Sequence, residues 1–122
     1  MNIEQAITPV YLVKGAEEFL SFCTQVLGAQ ESSRVTGPDS AVMRAELRFA
    51  GSAVIVTESI KDPPTAAAAL FDVQDCDAMF DRAVRAGAKP LLEPRDMPWG
   101  HRWARIEDRW GNRWTFATRP VD

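Results

Sequence analysis

Two helix endings govern how this chain can be laid out. Leu27-Gly28-Ala29 and Ala86-Gly87-Ala88 stand 59 residues apart, each closing an apolar stripe of helical spacing. Glycine takes up the left-handed conformation that ends a helix at no steric cost, so both tripeptides read as helix C-termini. Before the first, Ala16, Phe19, Leu20, Cys23, Val26 and Leu27 recur three and four residues apart, and Glu17 and Glu18 occupy the first turn, where the helix dipole favours acids. Before the second, Cys76, Met79, Phe80, Ala83 and Val84 form the stripe behind a capping aspartate, Asp75.

The surroundings of the two helices repeat as well. Ile7 to Val13 is rich in β-branched and aromatic residues and predicts a strand, with Pro9 confined to an edge-like or unpaired position because it has no N–H. Three more strands are expected after Gly28, at Gln30 to Val35, Val42 to Phe49 and Ala53 to Ser59, and the middle one alternates Met43, Ala45, Leu47 and Phe49 against Arg44, Glu46 and Arg48. That alternation predicts one buried and one wet face. Lys61-Asp-Pro-Pro-Thr65 interrupts the pattern, since consecutive prolines cannot donate to a ladder. Beyond it come a strand at Ala66 to Val73, the second helix and three further strands. The expected layout is one domain, residues 1–122, with module one at 1–60, a connector at 61–65 and module two at 66–122. Two βαβββ units this short are expected to share one curved mixed sheet, helices outside, whose concave side is a ligand cavity: an α+β fold.

Charge and composition narrow the partners. A formal charge of −3 with interspersed signs carries no basic footprint for nucleic acid. The longest apolar run, Ala66 to Phe71, is far below the roughly 20 residues of a membrane span, and Met1-Asn-Ile-Glu-Gln lacks a basic stretch before an apolar core. Cytoplasm and no membrane are the expectation. Cys23 and Cys76 both fall within helical stripes and read as small packing residues.

Asp96 to Phe116 holds all four tryptophans, the only histidine and four of the arginines, with apolar and polar residues alternating on either side of Asp108-Arg-Trp-Gly-Asn112, which reads as a tight turn between two strands. If Thr115 marks the cavity face, Trp103, Arg105 and Arg113 share it, and Trp114 and Phe116 point to the helix. Trp99, in the preceding loop, is a candidate lid or a packing residue. Trp110 reads as packing, and His101 is a candidate hydrogen-bond partner at the pocket mouth. Arg105 and Arg113 favour anionic ligands, unless they are spent on cross-strand pairs with Glu107, Glu58 or Glu46.

The order of elements, with Ile7-Thr-Pro-Val-Tyr-Leu-Val-Lys-Gly-Ala-Glu-Glu, Phe22-Cys-Thr-Gln-Val-Leu-Gly-Ala, Asp96-Met-Pro-Trp-Gly and Glu107-Asp-Arg-Trp-Gly-Asn-Arg-Trp, resembles the vicinal oxygen chelate superfamily, in its glyoxalase/bleomycin-resistance branch with a Trp-Gly loop. In metal-using members four His, Glu or Gln ligands come from the first and fourth strands of each half. By resemblance those positions fall on Thr8, Val56, Ala68 and Thr115, and a valine and an alanine have no electron pair to offer. Glu46, Glu58 and His101 remain as donors for a displaced site. The resemblance therefore implies a metal-free protein without a cofactor, a homodimer that binds or sequesters a drug-like or aromatic small molecule and is not an enzyme. The alternative is a glyoxalase-like lyase or isomerase with a displaced or absent metal. The expected ligand-binding residues are Trp99, His101, Trp103, Arg105, Arg113, Thr115, Thr8, Val56 and Glu58, with no catalytic residue.

Overall fold

A computed structural model describes residues 3–120; Met1, Asn2, Val121 and Asp122, which the single-domain reading includes, lie outside the described residues. The chain divides into two compact units that meet between Thr65 and Ala66. The first runs β1 (Val10–Val13), α1 (Ala16–Gln25), β2 (Gln30–Thr36), β3 (Val42–Phe49) and β4 (Ser52–Glu58), with one turn of 3-10 helix at Pro38–Ser40. The second runs β5 (Ala68–Asp72), α2 (Cys76–Arg85), β6 (Lys89–Asp96), β7 (Arg102–Glu107) and β8 (Arg113–Thr118). This is the α+β arrangement of two βαβββ modules, each building a four-stranded mixed sheet, in the orders β1-β4-β3-β2 and β5-β8-β7-β6. In each sheet the first strand pairs in parallel with the last, and the other pairings are antiparallel.

β1 begins at Val10, three residues later than the apolar run suggests. Pro9 has no N–H, and only its carbonyl joins the ladder, accepting from Ile55 N at 2.9 Å. The connector folds back along the same strand, where Thr65 N donates to Leu12 O at 3.1 Å. Gly28 and Gly87 have φ of +80° and +103°, the left-handed helix endings the sequence calls for.

Each sheet buries one face under its own helix. In module one Phe19, Leu20 and Cys23 of α1 lie in a core with Tyr11, Val13, Ala45, Leu47 and Val56, and the Tyr11 and Phe19 rings stand 5.6 Å apart. In module two Cys76 and Ala83 of α2 face Ala104, Ile106, Trp114 and Phe116. At about 1.5–3 kcal/mol for each large side chain removed from water, these two faces are the main source of stability. Among the described residues no helix is long and apolar enough to cross a membrane.

The two helices start through the same device. α1 follows Gly15, whose φ of +92° leaves it no side chain to cap with, and the Glu58 carboxylate at the end of β4 accepts from Gly15 N at 3.0 Å and Ala16 N at 2.8 Å. At the end of β8 the Thr118 hydroxyl accepts from Cys76 N at 2.8 Å and donates to Val73 O at 3.1 Å. Asp75 adds its own cap, accepting from Ala78 N.

Candidate functional site

The helix starts, Ala16 and Cys76, and their anchors, Glu58 and Thr118, stand 60 residues apart, whereas the closing glycines stand 59 apart. Module two is one residue shorter between helix and glycine, and this decides which residues occupy equivalent places. Thr8 and Ala68 correspond. The partner of Thr115 is Ile55, and Val56 corresponds to Phe116. The ladders agree: Val56 lies between Tyr11 and Ala45 with no exposure, on the helix-packed face, while Ile55 and Thr57 stand on the opposite one. Glu58 also belongs to the helix side, with both oxygens committed to α1. Thr8 is exposed ahead of β1. Val56, Glu58 and Thr8 therefore do not stand on an open sheet face.

Module two brings the others together. Opposite α2, the β7–β8 ladder sets Trp103 against Ala117, Arg105 against Thr115 and Glu107 against Arg113, and β5 adds Ala68 beside Arg113 and Leu70 beside Thr115. Neighbours across a ladder share a face, so period-2 alternation places all of these on one side and leaves Ala104, Ile106, Trp114 and Phe116 in the core. Arg105 Nε donates to Thr115 Oγ1 at 2.9 Å, which fixes the guanidinium plane. Thr115 is only 9% exposed. Arg113 meets Glu107 at 3.4 Å in an exposed pair, so its charge is largely answered by that cross-strand neighbour.

The loop 97–101 closes the β6–β7 hairpin through Met97 N to His101 O at 2.7 Å and Gly100 N to Met97 O at 2.9 Å, with Gly100 at φ +95°. It carries Trp99 back over the sheet. The Trp99 and Trp103 rings meet edge to face at a centroid distance of 5.0 Å and an interplanar angle of 73°. Trp99 remains 55% exposed. Trp103 Nε1 is buried without a hydrogen-bond partner, an uncommon condition for an indole N–H. His101 is half-buried beside this pair, in the turn itself.

Composition alone hides one member of this face. Arg95 of β6 stands directly across from Trp103, after an irregularity in the β6–β7 register between Leu92 and Arg95. Simple alternation along Lys89–Asp96 cannot place it, because the extra residue resets the parity. Arg102 faces the other way and is held by Asp77 at 2.7 Å and Asp96 at 3.0 Å, and it keeps the Asp77 carboxyl below its usual range. Among the described residues neither Arg95 nor Arg105 meets a carboxylate.

The turn Asp108-Arg-Trp-Gly-Asn112 is a structural clamp. Asp108 is 5% exposed; its Oδ1 accepts from Trp110 N and Asn112 N, both at 2.9 Å, and its Oδ2 from Trp114 Nε1 at 2.9 Å and Asn112 Nδ2 at 3.2 Å. Burial nonetheless pushes this carboxyl above its ordinary value, with the four hydrogen bonds pulling the other way. Asn112 Oδ1 then accepts from Ala67 N at 2.9 Å and ties the turn to β5. Trp110 is half-buried, with the Arg109 guanidinium 4.5 Å from its ring centroid.

Within either module, among the described residues, no three His, Cys, Asp or Glu side chains gather to hold a metal ion. Thr8, Ile55, Ala68 and Thr115, the four equivalent positions, offer two hydroxyls and two hydrocarbons, which do not fit a divalent cation.

Comparison with known proteins places this geometry. The profile of the Glyoxalase/Bleomycin resistance protein/Dioxygenase superfamily matches residues 6–116. An uncharacterized protein of Mycobacterium bovis is 30% identical over 99% of this chain and 87% of its own length, and one of Mycobacterium tuberculosis is 30% identical over 99% and 78%. Among solved structures, TioX from Micromonospora sp. ML1 superposes with a TM-score of 0.76 at 22% identity, covering 97% of this chain and 98% of its own. A glyoxalase/bleomycin resistance protein/dioxygenase from Nocardioides gives 0.67 at 17% identity, covering 100% and 91%.

Proposed function

The chain belongs to the Glyoxalase/Bleomycin resistance protein/Dioxygenase superfamily, and from that premise we propose a small-molecule binding and sequestering protein of the bleomycin-resistance type, in the Trp-Gly loop subgroup, working without a metal as a cytoplasmic homodimer. The observation that carries this reading is the pair of indoles on the open face of module two, Trp103 in the sheet and half-exposed Trp99 folded onto it. An indole face presents a large apolar area with a negative quadrupole, worth about 0.5–2 kcal/mol per well-placed aromatic or cationic contact. A flat ligand replaces Trp99 as the neighbour of Trp103 while Trp99, carried on the Gly100 turn, closes over it. Leu70, 51% exposed, extends the apolar floor. The chemistry of Thr8, Ile55, Ala68 and Thr115 supports binding without a metal, and no catalytic step is derived from them. Exposed Val10, Val35 and Leu91 are the kind of apolar surface a second copy covers.

Titration with a panel of flat aromatic compounds, followed by tryptophan fluorescence, tests the reading. Saturable quenching is expected, abolished by Trp103→Leu and unchanged by prior treatment with a chelator. Unperturbed fluorescence across the panel at high micromolar concentration overturns it. Sedimentation equilibrium tests the dimer, and a monomer mass at working concentration removes that part of the proposal.

A further inference from the structure

The open face of module two carries two arginines that, among the described residues, no carboxylate answers. Arg95 stands across the ladder from Trp103, and Arg105 stands two residues along from Trp103 on β7, so among the described residues Trp103 has two arginines without a carboxylate partner as its ladder neighbours. Other arginines are neutralised: Arg34 by Glu31 at 2.6 Å, Arg102 by Asp77 at 2.7 Å, Arg119 by Asp72 at 3.2 Å. Arg105 is also aimed. Its Nε is committed to Thr115 Oγ1 at 2.9 Å, which leaves both Nη groups free to donate in a fixed plane. Between the two lies a third donor without an acceptor, the buried Trp103 Nε1. A buried N–H left unpaired is costly, so an acceptor that reaches it recovers that cost.

Two guanidinium groups and an indole N–H around one aromatic face, with the Glu107 carboxylate already paired to Arg113, describe the complement of an oxyanion attached to a ring. We propose that the ligand of this face is a flat aromatic molecule bearing a carboxylate or an equivalent planar oxyanion, its ring on Trp103 and its charge held by Arg105 and Arg95, with Trp103 Nε1–H donating to it. The assignment rests on the aromatic-binding reading above and adds the sign and shape of the ligand's polar group. Thr115 acts here as a positioning residue: it sets the guanidinium plane of Arg105 and needs no contact with the ligand. Two guanidinium forks donate paired N–H bonds to a planar carboxylate, which a cationic or neutral ligand of the same ring cannot exploit.

The test uses three probes with one ring system, 1-naphthoate, 1-naphthylmethanol and 1-naphthylmethylammonium, titrated into the full chain labelled with nitrogen-15. The side-chain indole N–H resonances are followed, and Trp103→Phe assigns the one that matters. Naphthoate is expected to bind at least about tenfold tighter than the alcohol and to move the Trp103 N–H resonance downfield, with an affinity that falls as salt rises. Arg105→Gln and Arg95→Gln are expected to erase that preference together while leaving the alcohol's affinity in place, and Thr115→Val to weaken naphthoate alone. If the alcohol or the ammonium binds as tightly as naphthoate, or the arginine variants leave the ratio unchanged, the oxyanion assignment falls and aromatic binding stands. If no probe shifts any indole resonance at millimolar concentration, both fall.

Discussion

Asp108→Asn is the most informative single change outside the binding face. The substitution preserves volume and one carbonyl-type oxygen, so the bonds from Trp110 N and Asn112 N at Oδ1 survive. At Oδ2 it puts an NH2 group against two other donors, Trp114 Nε1 and Asn112 Nδ2, at residues only 3% and 1% exposed. Two bonds to a charged acceptor disappear, each worth about 1.5–3 kcal/mol, and water cannot reach the freed donors. Relief from burying a charge returns part of this, and the net expectation is a loss of about 2–4 kcal/mol. For a domain of this size that lowers the midpoint of thermal unfolding by about 8–15 °C, measured by circular dichroism. The pH dependence supplies a sharper check. Burial holds the folded-state carboxyl above its unfolded value, so the stability it contributes is full below the unfolded pKa and declines as pH rises through the folded one. The Asn variant does not titrate there. The gap in unfolding free energy between wild type and variant, from urea melts, should therefore be widest near about pH 4 and narrow toward neutrality. A gap that widens as pH rises shows that the four hydrogen bonds outweigh burial. A midpoint within about 2 °C of wild type refutes the clamp altogether.

The remaining predictions concern the helix anchors and the thiols. Glu58→Ala removes both acceptors at the start of α1 and should cost about 1–2 kcal/mol in urea unfolding with an unchanged m-value; no loss means the bonds to Gly15 N and Ala16 N are replaced by water without penalty. Thr118→Val keeps the shape and deletes the hydroxyl shared by Cys76 N and Val73 O, with an expected cost of about 1–2 kcal/mol; a neutral result assigns the start of α2 to Asp75 alone. Cys23 and Cys76 are fully buried, and burial pushes the Cys76 thiol up to about 11, so neither should react with a disulfide reagent at mildly alkaline pH until the chain unfolds; stoichiometric reaction of the native protein within seconds contradicts this packing.

The elements were legible because each announces itself locally. The capping glycines, the helical stripes and the alternation of β3 are short-range signals, and the helices and most strands lie within a residue or two of where those signals put them. The face of Trp103, Arg105, Arg113 and Thr115 was legible for the same reason, since parity holds across a regular two-strand ladder. The failures have physical causes too. Val56, placed by resemblance, lies on the helix-packed face, and the helix starts, tied to Glu58 and Thr118 and 60 residues apart, pair Ile55 with Thr115 instead. Glu58 carries no local sign that its carboxylate stands in for the missing cap at Gly15, a contact across 43 residues. Arg95 was invisible behind an irregularity that only the register reveals.

The same ruler shows where the modules diverge. Position by position along the middle ladder, Arg44, Glu46 and Arg48 of β3 correspond to Trp103, Arg105 and Glu107 of β7, since they stand across from Thr57, Ile55 and Ala53 in one module and from Ala117, Thr115 and Arg113 in the other. The core-facing residues between them stay apolar in both, because each sheet must bury one face under its helix. The open faces answer to no such demand. In module one the central place holds a carboxylate that is already satisfied, Glu46 accepting from Ser32 Oγ at 2.6 Å and lying 3.8 Å from Arg48. In module two it holds Arg105, bound only to a hydroxyl, beside an indole whose N–H has no acceptor. A carboxylate already paired and hydrogen-bonded has little to offer a charged ligand, whereas a guanidinium without a carboxylate partner retains most of its interaction energy for one. If that asymmetry carries recognition, Glu46→Gln should leave naphthoate binding within about twofold of wild type while Arg105→Gln costs about tenfold. Equal losses would mean that Arg105 has no special part in holding naphthoate and that this asymmetry does not carry recognition.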